Sequence, residues 1–429
     1  MAKQSLKYCG TALIALLVFA GVLAAGASPG PFRGLEGAHA GSPEVRALWV
    51  VRTTLATPDG IKRMVARASA GGFNTLIVQV RGRGDAYYRS RWEQRADQLE
   101  SQPEGFDPLD ATIKEAHRVG LTVHAWLNTF LVANVDELPR SRKHAIYEHP
   151  EWLMVPRAVA GRLYGLDPRD PRYVAEIINY SKGDRSQLEG LYLSPANPAV
   201  KERIYSVWMD VLERYEVDGL HFDYVRYPST AFDYGRVSLD RFQALVEKGL
   251  TEGERKVLAA ATERDPLTYA NAFPERFAQF QRDQVTEVVE RVGYGVKARR
   301  SAAVLSAAVF ADAEDAYNNR FQDWRLWLRR GLIDVACPMA YTPDTETFRK
   351  QIGVAIGSAS GREVWAGIGA YRIPPESTIE KIRAARELGA RGFILFSYDS
   401  LSKSVDHNNA GDYLEQLKPV LSQLPNGRT

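Results

Sequence analysis

Cysteine is almost missing from this chain, with two in 429 residues, Cys9 and Cys337. Cys9 precedes an apolar N-terminal run, so a form trimmed of that run keeps one thiol, forms no intrachain disulfide and must be held by its core alone. Cys337 lies in the apolar stretch IDVACPMAY, where a small buried filler is expected rather than a nucleophile. Histidine is scarce too, seven in all. No HExxH and no cysteine cluster occurs, and HAWLN (124–128) lacks the second histidine that a zinc deacetylase would place close by, so no metal site is expected. GRGDAYY (82–88) follows a strand-like run, but its GxGxxG pattern is incomplete and leads into no helix, so neither a phosphate loop nor a cofactor is expected. The formal net charge of +3 is small and the basic residues are evenly spread, which argues against nucleic acid as a partner while leaving an anionic polymer open as a substrate.

What remains is an ordinary globular composition, 45% hydrophobic and 25% charged, long enough for one large α/β barrel or two smaller domains. Residues 1–27 begin with Lys3 and Lys7, continue through an apolar run from Thr11 to Ala25 and end in small residues, the pattern of a secretory signal peptide. The run is short for a spanning helix, so membrane attachment is expected only where this segment stays uncleaved. Residues 28–43 are rich in Gly, Pro and Ala and read as a flexible linker, leaving 44–425 as the folded domain. A secreted, periplasmic or cell-envelope location follows as the expectation.

Eight strand-like runs recur, at 45–51, 74–81, 121–128, 217–225, 303–311, 333–341, 363–370 and 391–398. Between most of them lie segments with helical spacing, at 58–70, 108–119, 198–215, 274–292, 319–330 and 377–388. Several open on a proline and several close on a glycine just before the next strand. Alternation of this kind predicts a (β/α)8 TIM barrel. The connections at 129–197, after the third strand, and 229–273, after the fourth, are longer than a scaffold needs, and their aromatics Trp152, Tyr164, Tyr192, Phe232, Tyr234 and Tyr269 are candidates for walling a cleft.

In a barrel of parallel strands the carboxyl ends form the active-site mouth. The segment VDGLHFDYVRYP (217–228) delivers Asp223 there, with Arg226 close behind. Period-two alternation adds Gln79 and Arg81 from the second strand, His124, Trp126 and Asn128 from the third, and His221 from the fourth. Asp312 follows the fifth strand, Met339, Tyr341 and Asp344 end the sixth, and Tyr371 follows the seventh. Tyr398 and Asp399 close the eighth. Arg81 is also a candidate partner for Asp85, and Asp218, at the opposite end of its strand, reads as a structural cap.

Several motifs occur together and in order: VRALWV, GFNTLIVQVRGRGDAYY, FDPLDATIKEAHRVGLTVHAWLN, LSPANPAVKERI, YEVDGLHFDYVRYP and DWRLWLRRGLIDVACPMAY. Across about 44–421 the chain resembles the family-10-like glycosyl hydrolase domain of bacterial envelope and secreted proteins. The resemblance implies a (β/α)8 barrel that cleaves glycosidic bonds in a cell-wall or extracellular polysaccharide, some relatives acting on peptidoglycan glycan strands. The chain is more distantly similar to family-eighteen chitinases, whose DGxDxDxE and MxY patterns are matched here at Asp218, Asp223, Met339 and Tyr341. His221 and Val225 replace the middle aspartate and the catalytic glutamate, so that mechanism does not carry over.

Glycoside hydrolysis generally needs two carboxyls. Asp223 is the expected first and Asp312, Asp344 or Asp399 the second. Gln79, Arg81, His124, Trp126, Asn128, His221, Arg226, Tyr341, Tyr371 and Tyr398 are the expected substrate contacts, with Trp126 and Tyr371 candidates for stacking on sugar rings. A polysaccharide-binding barrel without catalysis, or a polysaccharide deacetylase, are the competing readings.

Overall fold

The computed structural model of the chain describes residues 43–183, 188–403 and 412–423. The expected signal peptide, all but the last residue of the linker and residues 424–425 lie outside the described residues. Eight parallel strands carry the architecture: β1 (Val45–Val50), β2 (Thr75–Arg81), β3 (Thr122–Asn128), β4 (Gly219–Asp223), β5 (Val304–Val309), β6 (Val335–Ala340), β7 (Glu363–Ile368) and β8 (Gly392–Phe396). Each pairs with its successor, and β8 pairs back onto β1 from Val45↔Gly392 to Trp49↔Phe396, which closes a (β/α)8 barrel.

Alternation explains how both faces are filled. Ala47, Trp49, Ile77, Trp126, Ala308, Val335, Cys337, Trp365 and Ile394 form one apolar cluster inside the barrel. Their neighbours along the strands, such as Leu48, Val78, Leu127 and Phe222, join the larger cluster beneath the surrounding helices. Three tryptophans fit in so narrow a space because facing positions lack a side chain. A Cβ on Gly367 would come within 3.0 Å of the Trp49 ring, and one on Gly219 within 2.7 Å of His124. Cys337 is fully buried here, and burial pushes its thiol well above the ordinary range.

Helices depart from expectation where capping overrides pattern. The helix Pro274–Arg299 runs past Gly293, whose added Cβ would meet the Leu332 carbonyl at 2.7 Å, so this glycine serves close packing rather than a stop. Of the helix expected at 319–330 only Trp324–Arg329 forms, and a separate helix, Ala313–Asn319, precedes it, each started by an aspartate cap, Asp323 and Asp312. Phe321, between them, sits at φ 52°. A further helix, Thr345–Gly357, begins on the cap Asp344.

The two long connections are built outgrowths. The first places Leu131–Ala133 antiparallel to Leu191–Tyr192 and carries, among the described residues, three α-helices and a short 3-10 turn; the second carries Arg236–Glu247, Glu252–Thr262 and Thr268–Ala272. Trp152, Tyr192, Phe232, Tyr234 and Tyr269 pack these segments down as buried residues rather than walling a cleft, and Tyr164 packs against the same core.

Arg81 is deeply set in this framework, 1% exposed. It meets Glu93 at 2.6 Å, not Asp85, and donates to the carbonyls of Asn128 and Thr129, tying the end of β2 to the end of β3. It is thus occupied within the fold and is not among the residues that line the pocket at the mouth. Removing one partner of a buried pair strands the other. Glu93→Ala is therefore expected to cost about 3–5 kcal/mol in denaturant unfolding, and a loss below about 1 kcal/mol would show that the pair behaves like an exposed one.

Candidate active site at the barrel mouth

A pocket of about 570 Å³ opens at the carboxyl ends of the strands. Its floor is aromatic and rigid. Trp126, 3% exposed, donates through Nε1 to Asn128 Oδ1 at 2.9 Å, and Asn128 in turn donates to the Gly82 carbonyl at 2.7 Å. Gln79 completes the group at 3.4 Å from the same Asn128 oxygen. On the β6–β8 side, Tyr341 stacks on Phe396 with centroids 5.5 Å apart and meets Tyr371 edge-on. Tyr371, 47% exposed, stands as the outer wall.

Asp223 is the last residue of β4 and faces this space beside Asn128 in register. The next residue, Tyr224, adopts φ 49°, rare for a bulky side chain, and donates its backbone N–H to Asp223 Oδ1 at 2.6 Å. Arg226 lies 3.5 Å from the same oxygen through Nη1 and 3.3 Å from Glu189 Oε1 through Nη2. Its guanidinium also covers the Tyr224 ring at 4.2 Å and the Phe310 ring at 5.0 Å. Tyr192 donates its hydroxyl to the second Glu189 oxygen at 2.7 Å. One guanidinium thus spans two carboxylates, so their nearest oxygens are at most about 9 Å apart. Burial pushes Asp223 up to about 6, against the downward pull of Arg226 and of the Tyr224 N–H, while the charge of Glu189 adds to the rise.

Gln79, Trp126, Asn128, Asp223, Arg226, Tyr341 and Tyr371 all line this pocket, as Trp49, Arg52, Arg83, Glu189 and Tyr224 also do. Other expected site residues lie elsewhere. His221 points inward but beneath the floor, accepting from Trp49 Nε1 at 3.1 Å and donating from Nδ1 to Ser306 Oγ at 2.8 Å; burial lowers it to about 3. His124 packs on Trp365 with centroids 5.5 Å apart, four residues below Asn128, and burial lowers it to about 4. Alternation gave the correct face for both but carries no depth, at about 3.3 Å per residue.

None of the three expected second carboxyls lines the mouth. Asp312 accepts from the N–H groups of Glu314 and Asp315, and Asp344 from that of Thr347; both are exposed helix caps. Asp399 accepts from Val51 N at 2.6 Å and from Thr54 Oγ, fastening the turn after β8 to the end of β1. Tyr398 starts the helix Tyr398–Lys403 and is buried in the outer core. Glu189 was not among the expected residues. It lies on the connection after β3, outside any periodic element, and no spacing rule marks it.

Comparison with known proteins bears on what such a mouth does. The profile of the glycosyl hydrolase-like 10 family matches residues 44–381. Glycosyl hydrolase YngK of Bacillus subtilis is 22% identical over 293 residues, covering 63% of this chain and 46% of that protein. Glycosyl hydrolase DigH of Escherichia coli K12 is 23% identical over 344 residues, covering 72% of this chain and 65% of that protein. The chain therefore spans from just under half to about two thirds of these relatives' length. Among solved structures, the PgaB (BpsB) glycoside hydrolase domain of Bordetella bronchiseptica shares the fold with TM-score 0.58 at 17% identity, over 89% of this chain and 99% of that one.

The raised Asp223 proton affinity has a consequence for stability. A carboxyl that holds its proton more tightly folded than unfolded makes folding less favourable as pH rises between the two values, here from about 4 to about 6. Asp223→Asn removes that cost. The variant is expected to match the native protein in unfolding free energy near pH 4 and to exceed it by about 2–3 kcal/mol above pH 7. Equal stability at both pH values would show that Asp223 ionises as freely as an exposed aspartate.

Proposed function

The chain belongs to the glycosyl hydrolase-like 10 family, and from that premise we propose that it is a glycoside hydrolase whose two working carboxyls are Asp223 and Glu189. The observation that carries the proposal is the single Arg226 guanidinium joining both carboxylates in one open, aromatic-walled pocket. Asp223, buried and raised to about 6, is suited to hold a proton and pass it to the glycosidic oxygen as that bond breaks. Glu189, half-exposed and oriented by Tyr192 and Arg226, is suited to assist water or attack the sugar carbon from the other side. Arg226 steadies both charges, and Tyr341 offers a hydroxyl within the same pocket.

The proposed substrate is a cell-wall or extracellular polysaccharide containing aminosugars, peptidoglycan glycan strands or a similar polymer, met outside the cytoplasm after export. The expected N-terminal signal and the relatives named glycosyl hydrolases support this reading. To test it, the protein lacking residues 1–27 is incubated with peptidoglycan, de-peptidated glycan strands, chitin and partly deacetylated glucosamine polymers, and the products are weighed. Hydrolysis adds one water at each cut. Binding without cleavage would favour a polysaccharide-binding barrel, and loss of acetyl groups from intact chains a deacetylase.

Two further outcomes are expected. Asp223→Asn and Glu189→Gln should each lower turnover at least about a hundredfold in folded protein, and the native rate should fall as pH rises through about 6, where Asp223 loses its proton. Near-native turnover in either variant removes that residue from the chemistry. Trp126 and Tyr371 separate on the other axis. Tyr371→Ala should weaken oligosaccharide binding by about 1–3 kcal/mol with little change in melting, whereas Trp126→Ala should cost about 3–5 kcal/mol of stability. Calorimetric titration and thermal melting of both variants check this.

A further inference from the structure

Charge in the pocket is matched everywhere but at one point. Arg226 is shared by Asp223 and Glu189, and Arg83 meets the exposed Glu137 at 3.1 Å. Arg52, in the short turn Arg52–Ala56 after β1, lines the same pocket and has no carboxylate partner among the described residues. Its Nη1 donates to Gln79 Oε1 at 2.9 Å, an uncharged acceptor, and its Nε is buried without an acceptor. Its stem presses on Gly82, where an added Cβ would lie 2.5 Å from Arg52 Cδ. Gly82 thus leaves room for the stem while Gln79 holds the fork, so the cation is in position before any ligand arrives. Keeping a half-buried guanidinium without a counter-charge is costly. A planar fork fixed in a pocket wall is suited to bind a carboxylate.

We propose that Arg52 reads a carboxylate on the sugar bound along the β1–β2 wall, so that the preferred substrate is an acidic glycan; this rests on the glycan-binding reading of the mouth. Two sugar chemistries supply such a group, the lactyl ether of muramic acid and the ring carboxylate of a uronic acid. Both place a full negative charge where a neutral hexosamine carries a hydroxyl. Gln79 and Arg52 then form one unit, the amide holding the guanidinium while the guanidinium holds the ligand.

The test is calorimetric binding to the protein lacking residues 1–27. The ligands are glycan strands carrying free muramic carboxylates, a hexosamine–uronic acid oligosaccharide, and each of these with its carboxylates reduced to alcohols. At least one acid should bind at least about tenfold more tightly than its alcohol, and the acid that does so identifies the source of the charge. Arg52→Gln should bring that ratio close to one, and Arg52→Lys should retain part of it. Should Arg52→Gln fail to fold, Arg52→Met, which keeps the stem against Gly82, makes the same comparison. Equal affinity for acid and alcohol in the native protein, a preference that survives loss of the charge, or no binding of any of the four overturns the proposal. Cleavage without acid preference would remove this role and leave the hydrolase reading standing. Acid preference without cleavage would do the reverse.

Discussion

The mouth of this barrel depends on one buried cation. Arg226 is almost fully enclosed, and an unpaired guanidinium in that position would lose several kcal/mol of solvation. It is tolerated because Asp223 comes from the end of β4 and Glu189 from the connection after β3, one at each side of its planar fork. The same pair anchors the connection. Glu189 sits just before Leu191–Tyr192, which pairs with Leu131–Ala133 directly above β3, so the ion pair and the small sheet position the loop together. Breaking the cation would therefore free a carboxylate and a loop and, by removing the one charge that opposes burial, raise the proton affinity of Asp223 further, which is the coupling expected of a site rather than of a stability device.

Below this layer the interior is deliberately uncharged. Trp49, Trp126 and Trp365 fill the barrel, and the two inward histidines are held neutral by burial, one of them locked between Trp49 and Ser306. A rigid aromatic floor keeps water from reaching Asp223 from underneath, so its carboxyl faces solvent only through the pocket. The Arg81–Glu93 pair plays the matching role at the side, binding the ends of β2 and β3 so that Gln79 and Asn128 project at fixed height. Rigid elements thus position the polar groups, and the long connections bring the remaining ones to them.

Period-two alternation and the eightfold recurrence of strand and helix were enough to read the barrel, and the strand-end rule was enough to place Asp223, Asn128 and Gln79. Depth was not readable. His124 and His221 lie on the predicted face, yet one is near the bottom and the other under Trp49, because alternation is blind to how far along a strand a residue falls. Nor can a carboxylate at a strand end be told from a helix cap by position alone. Asp312 precedes AED and Asp344 precedes TET, and in both the side chain turns to the first-turn N–H groups instead of the pocket. Asp399 went to a third use, holding β1 against β8. Glu189 escaped for the opposite reason, since an irregular connection has no period from which a direction could be read.

The missing glutamate of the chitinase-like pattern has a structural explanation of its own. In that pattern the catalytic glutamate falls two residues after the aspartate that Asp223 matches, a position held here by Val225. At Tyr224 the chain turns through φ 49°, and Val225 follows as a fully buried member of the outer core. A carboxylate at Val225 would be carried into apolar packing, where its charge would be costly and out of reach of the pocket. The turn that lets the Tyr224 N–H bond Asp223 is thus incompatible with a second carboxyl from the same strand. The second carboxylate of the pocket comes instead from another element, as Glu189, delivered by the connection after β3 and received by Arg226.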